Sequence, residues 1–171
     1  MKFGICGADI VGSIPLTQTR KPHCYFLVGL PGSGKSTWAD SRFLLPIVGT
    51  DQWIDRFAAE LGATYNEVFD SHIKEATRLF DMQINDLVYQ GRDFVWDQTN
   101  LTVKSRKAKL SRLKGYDVSA VVFDIDPTVL AERQAQRPGK TIPSHVLKSM
   151  ASSYQEPTLE EGFSRIRYVK E

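Results

Sequence analysis

Cysteine is scarce in this chain: Cys6 and Cys24 are the only two in 171 residues. Two thiols make neither a metal-ligand pattern nor a disulfide framework. The expectation is reduced cysteines in a cytosol-like compartment, cytoplasmic or, in a eukaryote, nuclear. Long hydrophobic runs are also missing. The apolar stretches have strand length, which excludes a helical membrane span, and the N-terminus carries only Lys2 before a weakly apolar stretch interrupted by Gly and Asp, which does not read as a signal peptide. Charge of one sign is lacking as well. A net charge of +2 is too small to argue for nucleic acid by itself, so any such argument must come from where the charges cluster. Repeats and low-complexity tracts are absent. With 42% hydrophobic and 25% charged residues, the chain has the composition of one soluble domain of ordinary size.

What is present is a complete phosphate-binding loop. Gly29-Leu30-Pro31-Gly32-Ser33-Gly34-Lys35-Ser36-Thr37 fills every fixed position of G-x-x-x-x-G-K-[ST]. It follows an apolar run, Cys24–Val28, that reads as a buried strand, and it opens a helical segment at Ser36. That strand–loop–helix context is what the pattern requires. The glycines let consecutive N–H groups and the helix N-terminus face a phosphate chain. Lys35 would reach the β- and γ-phosphates of ATP, and the Ser36 hydroxyl would hold Mg²⁺.

Residues 1–22 stand apart as a leader, an added strand or a loose arm, and residues 23–171 form the loop-bearing domain. Strands are expected at Pro46–Thr50, Phe94–Trp96, Val118–Phe123 and Ile166–Val169. Helices alternate with them. One begins at the capping box Thr64-Tyr65-Asn66-Glu67, carries Val68, Ile73, Ala76, Phe80, Ile84 and Leu87 on one face, and stops at Gly91. A basic helix runs from Thr102 to Gly115, with Ala108 and Leu113 as its buried side. Another helix opens at Asp126-Pro127. This alternation predicts a three-layer α/β sandwich with a mostly parallel sheet.

Four further features bear on chemistry. Asp51 closes the second strand, at the sheet edge where ligands sit, and either accepts a proton from an attacking hydroxyl or caps the following helix. Asp97 ends its strand as the Mg²⁺ partner of Ser36 or as a turn residue, and Thr99 and Asn100 follow on the acceptor side. The Asn100 side chain would position substrate or cap the next helix. Arg133 and Arg137, spaced i,i+4 before Pro138-Gly139-Lys140, would deliver charge to the γ-phosphate from a helical lid, or form an exposed face. The basic helix carries six cations in eleven residues, Lys104 to Lys114, of which those nearest Asn100, Arg106 among them, would meet a polyanionic acceptor while the rest are solvated. Phe123-Asp124-Ile125-Asp126-Pro127-Thr128 matches a phosphatase signature of the haloacid dehalogenase type. Only 43 residues follow it, so Asp124 reads as a strand end and Asp126 as a cap.

With these residues in place the chain resembles the kinase domain of polynucleotide 5′-hydroxyl kinases, a branch of the P-loop NTPases with an adenylate-kinase-like fold. Gly29–Trp38, Asp51, Asp97–Asn100, Arg133 and Arg137, Ile142–Met150 and Tyr154–Phe163 carry the likeness. The resemblance implies ATP-dependent phosphorylation of 5′-hydroxyl DNA or RNA ends, with no membrane involved. It implies that Asp51 is the general base, that Lys35 and Ser36 hold ATP and Mg²⁺, and that Arg137, helped by Arg133, is the lid arginine. The sequence departs from the T4-like phage members of that family at Ile54, where they have an acceptor-contacting arginine, with Arg56 two residues further on. Two other readings compete. The nucleoside-triphosphate-binding-like domain of heterogeneous nuclear ribonucleoprotein U is similar through Asp97–Asn100 and Ile142–Met150, but that pattern lacks an acid at the place of Asp51. A small-molecule kinase acting on a nucleoside, sugar or antibiotic would share the loop and lid.

Overall fold

In a computed structural model, residues 20–42, 44–137 and 139–170 are described. Most of the leader expected at 1–22, Cys6 included, lies outside them. Five strands form one sheet: β1 (His23–Val28), β2 (Ile47–Val48), β3 (Phe94–Trp96), β4 (Asp117–Asp124) and β5 (Arg165–Lys170). All pair in parallel, in the order β2-β3-β1-β4-β5. The helices are α1 (Lys35–Arg42), α2 (Thr50–Leu61), α3 (Tyr65–Tyr89), α4 (Val103–Leu110), α5 (Pro127–Ala135) and α6 (Ser144–Ser152).

Alternate residues of each central strand feed two cores, because successive side chains leave a strand on opposite faces. Cys24, Phe26, Val28, Phe94, Trp96 and Val122 pack against Phe80, Ile84 and Leu87 of α3. Leu27, Val95, Val121 and Phe123 pack with Ala39 and Trp38 of α1. Burying each large apolar side chain is worth about 1.5–3 kcal/mol. Helices on both faces of a parallel sheet are the three-layer sandwich that the alternation predicts. The α3 boundaries match too: the Glu67 carboxylate accepts the Thr64 N–H at 2.7 Å, and Gly91 adopts a left-handed φ of 60° just past the helix end.

Three local expectations are corrected. β2 is two residues long, not Pro46–Thr50, so Asp51 sits in the first turn of α2 and does not end a strand. Just past the ladder Gly49 crosses so close to the end of β3 that a Cβ would lie 2.4 Å from the Asp97 carbonyl oxygen. The basic helix ends at Leu110, short of Gly115.

Its buried side also differs. Ala108 is exposed, whereas Arg106 is fully buried. The Arg106 guanidinium donates to both carboxylate oxygens of Glu161 at 2.8 Å, and to the carbonyls of Asn100, Leu101 and Gln155 at 3.1, 3.0 and 2.8 Å. Every donor direction is used inside the fold, so Arg106 is a strut between the β3–α4 loop and the Leu159–Glu161 turn, not an acceptor contact.

Removing one partner of a buried ion pair strands the other charge. Glu161→Ala is therefore expected to cost about 3–5 kcal/mol, read by urea unfolding; an unchanged midpoint would refute the strut. Burial pushes the Glu161 carboxyl up, but the Arg106 hydrogen bonds and the Thr158 N–H outweigh it and hold the group below its usual value. That contribution is complete above the ordinary carboxylate range and fades as pH falls through the lowered value, so the variant's stability should be flatter over that acid window.

Candidate functional site

The phosphate loop leaves β1 at Gly29 and enters α1 at Lys35. Gly32 and Gly34 hold φ of 83° and 86°, and a Cβ on Gly32 would come within 2.5 Å of Gln134 Nε2. L-residues avoid that backbone region, so the winding of the loop depends on these glycines. Lys35 folds back on the loop, donating to the carbonyls of Gly29 and Leu30 at 3.0 and 2.7 Å. Burial pulls its ammonium down to about 8, against the opposing charges of Asp97 and Asp51.

Ser36 Oγ donates to Asp97 Oδ2 at 2.6 Å. Burial raises the Asp97 carboxyl, partly offset by that hydrogen bond and by Lys35. Among the described residues there is no cluster of three or more metal-ligating side chains. A hydroxyl and one carboxylate, side by side at a phosphate loop, nevertheless suit Mg²⁺, which keeps waters and takes most remaining ligands from nucleotide phosphates. The donor set therefore fits that ion.

Asp51 faces the same space. One cleft of about 1760 Å³ is lined by the loop from Pro31 to Thr37, by Asp51, Asp97 and Thr99, and by Arg133 and Arg137. That exceeds the usual span of a single small-ligand pocket. The Asp51 carboxylate is 64% exposed and accepts from Tyr65 Oη at 2.9 Å, and its charge is felt at both Lys35 and Asp97. Gln98 holds this end of the sheet together: it accepts from Trp96 Nε1 at 3.1 Å and donates to Thr50 Oγ1 at 2.6 Å.

Arg133 leaves α5 toward the loop, its Nη1 3.5 Å from where a Gly34 Cβ would stand. The i,i+4 face expected for the two arginines is interrupted, because α5 ends at Ala135 and Arg137 lies in the turn beyond it. The Arg137 charge is nonetheless felt at both Lys35 and Tyr65, which puts it between the phosphate loop and the wall that bears Asp51. The turn is docked on that wall. Asn66 donates to the carbonyls of Gly139 and Thr141 at 3.0 and 3.1 Å, while Lys140 pairs with Asp55 at 2.7 Å and lies 4.2 Å over the Tyr65 ring.

Of the residues singled out from sequence, Asn100 and Arg106 are not cleft residues. Asn100 is buried, its amide donating to the carbonyls of Leu27 and Gln98, and it pins β1 to the β3–α4 loop. Gly29 lies beneath the cleft, its N–H donating to the Thr99 carbonyl at 3.0 Å. Tyr65, Gln98, Gln134 and Lys140 were not legible as site residues. Only the capping box, the Asp97–Asn100 loop and the Pro-Gly turn marked their neighbourhoods.

With this geometry in place, the likeness to known proteins can be set out. A family model described as an AAA domain matches residues 25–157. The bifunctional polynucleotide phosphatase/kinase of Schizosaccharomyces pombe is 26% identical over 149 residues, 84% of this chain but 32% of that protein, so the chain spans about a third of its relative. A candidate kinase of Chloroflexus aurantiacus superposes with a TM-score of 0.68 at 17% identity, covering 89% of this chain and 86% of the other. A gluconokinase of Sinorhizobium meliloti gives 0.55 at 19%, covering 88% and 83%. A chain of the Pnkp1/Rnl/Hen1 RNA repair complex gives 0.61 at 22%, covering 81% and 45%. The fold is that of P-loop kinases. Among the described residues, no helix is long and apolar enough to cross a membrane.

A bound phosphate favours the charged form of Lys35, so its acidity must weaken on nucleotide binding. Above about pH 8, ATP binding should take up a proton, with affinity falling as pH rises through that value. Calorimetry in buffers of different ionisation enthalpy reads this directly; no buffer dependence at about pH 8.5 would contradict it.

Proposed function

The chain belongs to this AAA-domain family of P-loop proteins, and from that premise we propose that it transfers the γ-phosphate of ATP to the 5′-hydroxyl of a DNA or RNA end. The observation that carries the proposal is the placement of Asp51: an open carboxylate, on a different element from the phosphate loop, facing the same cleft as Lys35, Ser36 and Arg137.

The division of labour follows from position. The loop's N–H groups and Lys35 hold the β- and γ-phosphates, with Lys35 exchanging its loop carbonyls for phosphate oxygens. Ser36 and Asp97 would hold Mg²⁺, which when bound neutralises charge on the phosphates. Asp51 accepts the proton of the attacking hydroxyl as its oxygen bonds to the γ-phosphorus and the bond to the β–γ bridging oxygen breaks, releasing ADP. Tyr65 orients that carboxylate. Arg137 and Arg133 line the same cleft and would reach the transferring group, and arginines so placed contribute about 10³–10⁵ in rate.

The polynucleotide acceptor is supported by the yeast relative, by the size of the cleft and by Lys109 and Arg112, which also line it. A small-molecule kinase shares the fold, as the gluconokinase likeness illustrates, but has no use for those two cations. A nucleotide-binding module without catalysis has no need of Asp51.

The test is transfer from radiolabelled ATP, with Mg²⁺, to 5′-hydroxyl oligonucleotides, nucleosides and sugars. The wild type should label oligonucleotides. Asp51→Asn should lower kcat by at least about 10²–10⁴, the usual contribution of a general base, and leave ATP affinity unchanged. Binding of ATP and RNA without transfer would favour the module, and labelling of sugars or nucleosides alone would favour the small-molecule kinase.

A further inference from the structure

The apex of the phosphate loop is a turn that has two available forms. The Ser33 N–H donates to the Leu30 carbonyl at 3.2 Å, which closes a four-residue turn with Pro31 and Gly32 at its centre. Gly32 holds a φ of 83°, as a type II turn requires at its third residue, and proline suits the second. Type I and type II turns share their ends and differ in the central peptide, which is rotated by about half a turn between them. Here that peptide joins Pro31 to Gly32, and glycine permits both forms. In a trans peptide the carbonyl and the next N–H point in opposite directions. The form of the turn therefore decides whether the Gly32 N–H or the Pro31 carbonyl faces the nucleotide.

One side chain holds this peptide. Gln134, in the last turn of α5, donates from Nε2 to the Pro31 carbonyl at 2.5 Å. Pro31 and Gly32 line the cleft and Gln134 does not, so the bond draws the carbonyl out of the cleft and leaves the Gly32 N–H directed into it. The amide cannot serve turned over, because Oε1 would then oppose the carbonyl, one acceptor against another.

Holding the peptide in this way is unfavourable at the other end of the amide. Gln134 is 5% exposed, and among the described residues its Oε1 accepts no hydrogen bond. A buried acceptor without a donor carries the full penalty of leaving water. An apolar side chain would fill the space without that penalty. Leu130, one turn earlier on α5, already does so beside Gly32, its Cδ1 3.6 Å from where a Cβ would stand.

We propose that Gln134 is a positioning residue for the phosphate donor: it fixes the Pro31–Gly32 peptide in its anion-accepting orientation before a nucleotide arrives. The inference rests on the reading of this loop as the ATP site. Gln134 touches no phosphate itself. It acts through the Gly32 N–H, and the ligand class it serves is a nucleoside di- or triphosphate. Without the amide the peptide is free to turn its carbonyl oxygen toward the phosphate oxygens, which repel it.

The experiment pairs calorimetric binding of ATP and ADP, with Mg²⁺, with urea unfolding of the same proteins: wild type, Gln134→Met and Gln134→Glu. Methionine keeps the length of the side chain and removes both the donor and the unpaired oxygen. Gln134→Met should raise the dissociation constants of ATP and ADP by about tenfold, the effect of one lost hydrogen bond. Its unfolding midpoint should be unchanged or higher, because the unpaired oxygen is gone. Gln134→Glu has the same shape with an acceptor in place of the donor, and it should bind both nucleotides more weakly than Gln134→Met. A merely structural glutamine would lower midpoint and affinity together in Gln134→Met, and that result would overturn the proposal. If either variant binds ATP as wild type does, the proposal is wrong while the ATP-site reading stands. If wild type binds neither ATP nor ADP, both readings fall.

Discussion

The cleft depends on the parallel pairing of β1 with β3 and on the turn that locks its end. Asn100 takes a φ of 52°, the only non-glycine left-handed residue described, and its amide reaches the Leu27 carbonyl at 2.7 Å. Gly29 is tied to Thr99 in the same place. These bonds hold the start of the phosphate loop against the Asp97–Asn100 segment, and the Ser36–Asp97 contact follows from that register. A side chain that was open to a substrate role is instead the pin that makes the substrate site possible. Left-handed backbone in a non-glycine residue carries a conformational cost, and here three hydrogen bonds to the Asn100 side chain offset it.

The wall that carries Asp51 is coupled to the turn that carries Arg137. Lys140 pairs with Asp55, approaches Asp51 to 3.7 Å and covers Tyr65, while Asn66 holds the turn's backbone. A group that would stabilise transferred charge and a group that would accept a proton are thus held by one network of short contacts. Burial is followed by the Asp51 charge and hydrogen bond in raising the Tyr65 hydroxyl, which keeps it a hydrogen-bond donor to that carboxylate.

Charge on α4 and the turn after it divides by depth. Arg106 is spent inside the fold, Lys109 and Arg112 face the cleft, and Lys104, Lys107 and Lys114 are solvated. A count of cations in sequence weighs all six alike. Helical spacing separates faces, but it cannot tell which face a guanidinium enters when a distant carboxylate, Glu161, waits to receive it. Leu113 is buried as its apolarity predicts, whereas Ala108 is exposed and Arg106 takes the interior place, because apolarity is a good guide to burial only where no buried ion pair competes.

The chain's residues by themselves determined what depends on local pattern. The strand-loop-helix around Lys35, the capping box at Thr64, the Asp126 cap and the strand–helix alternation all act over a few residues, through backbone geometry and hydrophobic period. Tertiary structure decided everything that needs a partner far along the chain: the position of Asp51 in a helix turn, the docking of the Arg137 turn, the burial of Arg106 and Asn100, and the contact of Gln134 with Pro31. Each depends on contacts between segments tens of residues apart, which only the packing of the sheet and its helices brings within hydrogen-bonding distance.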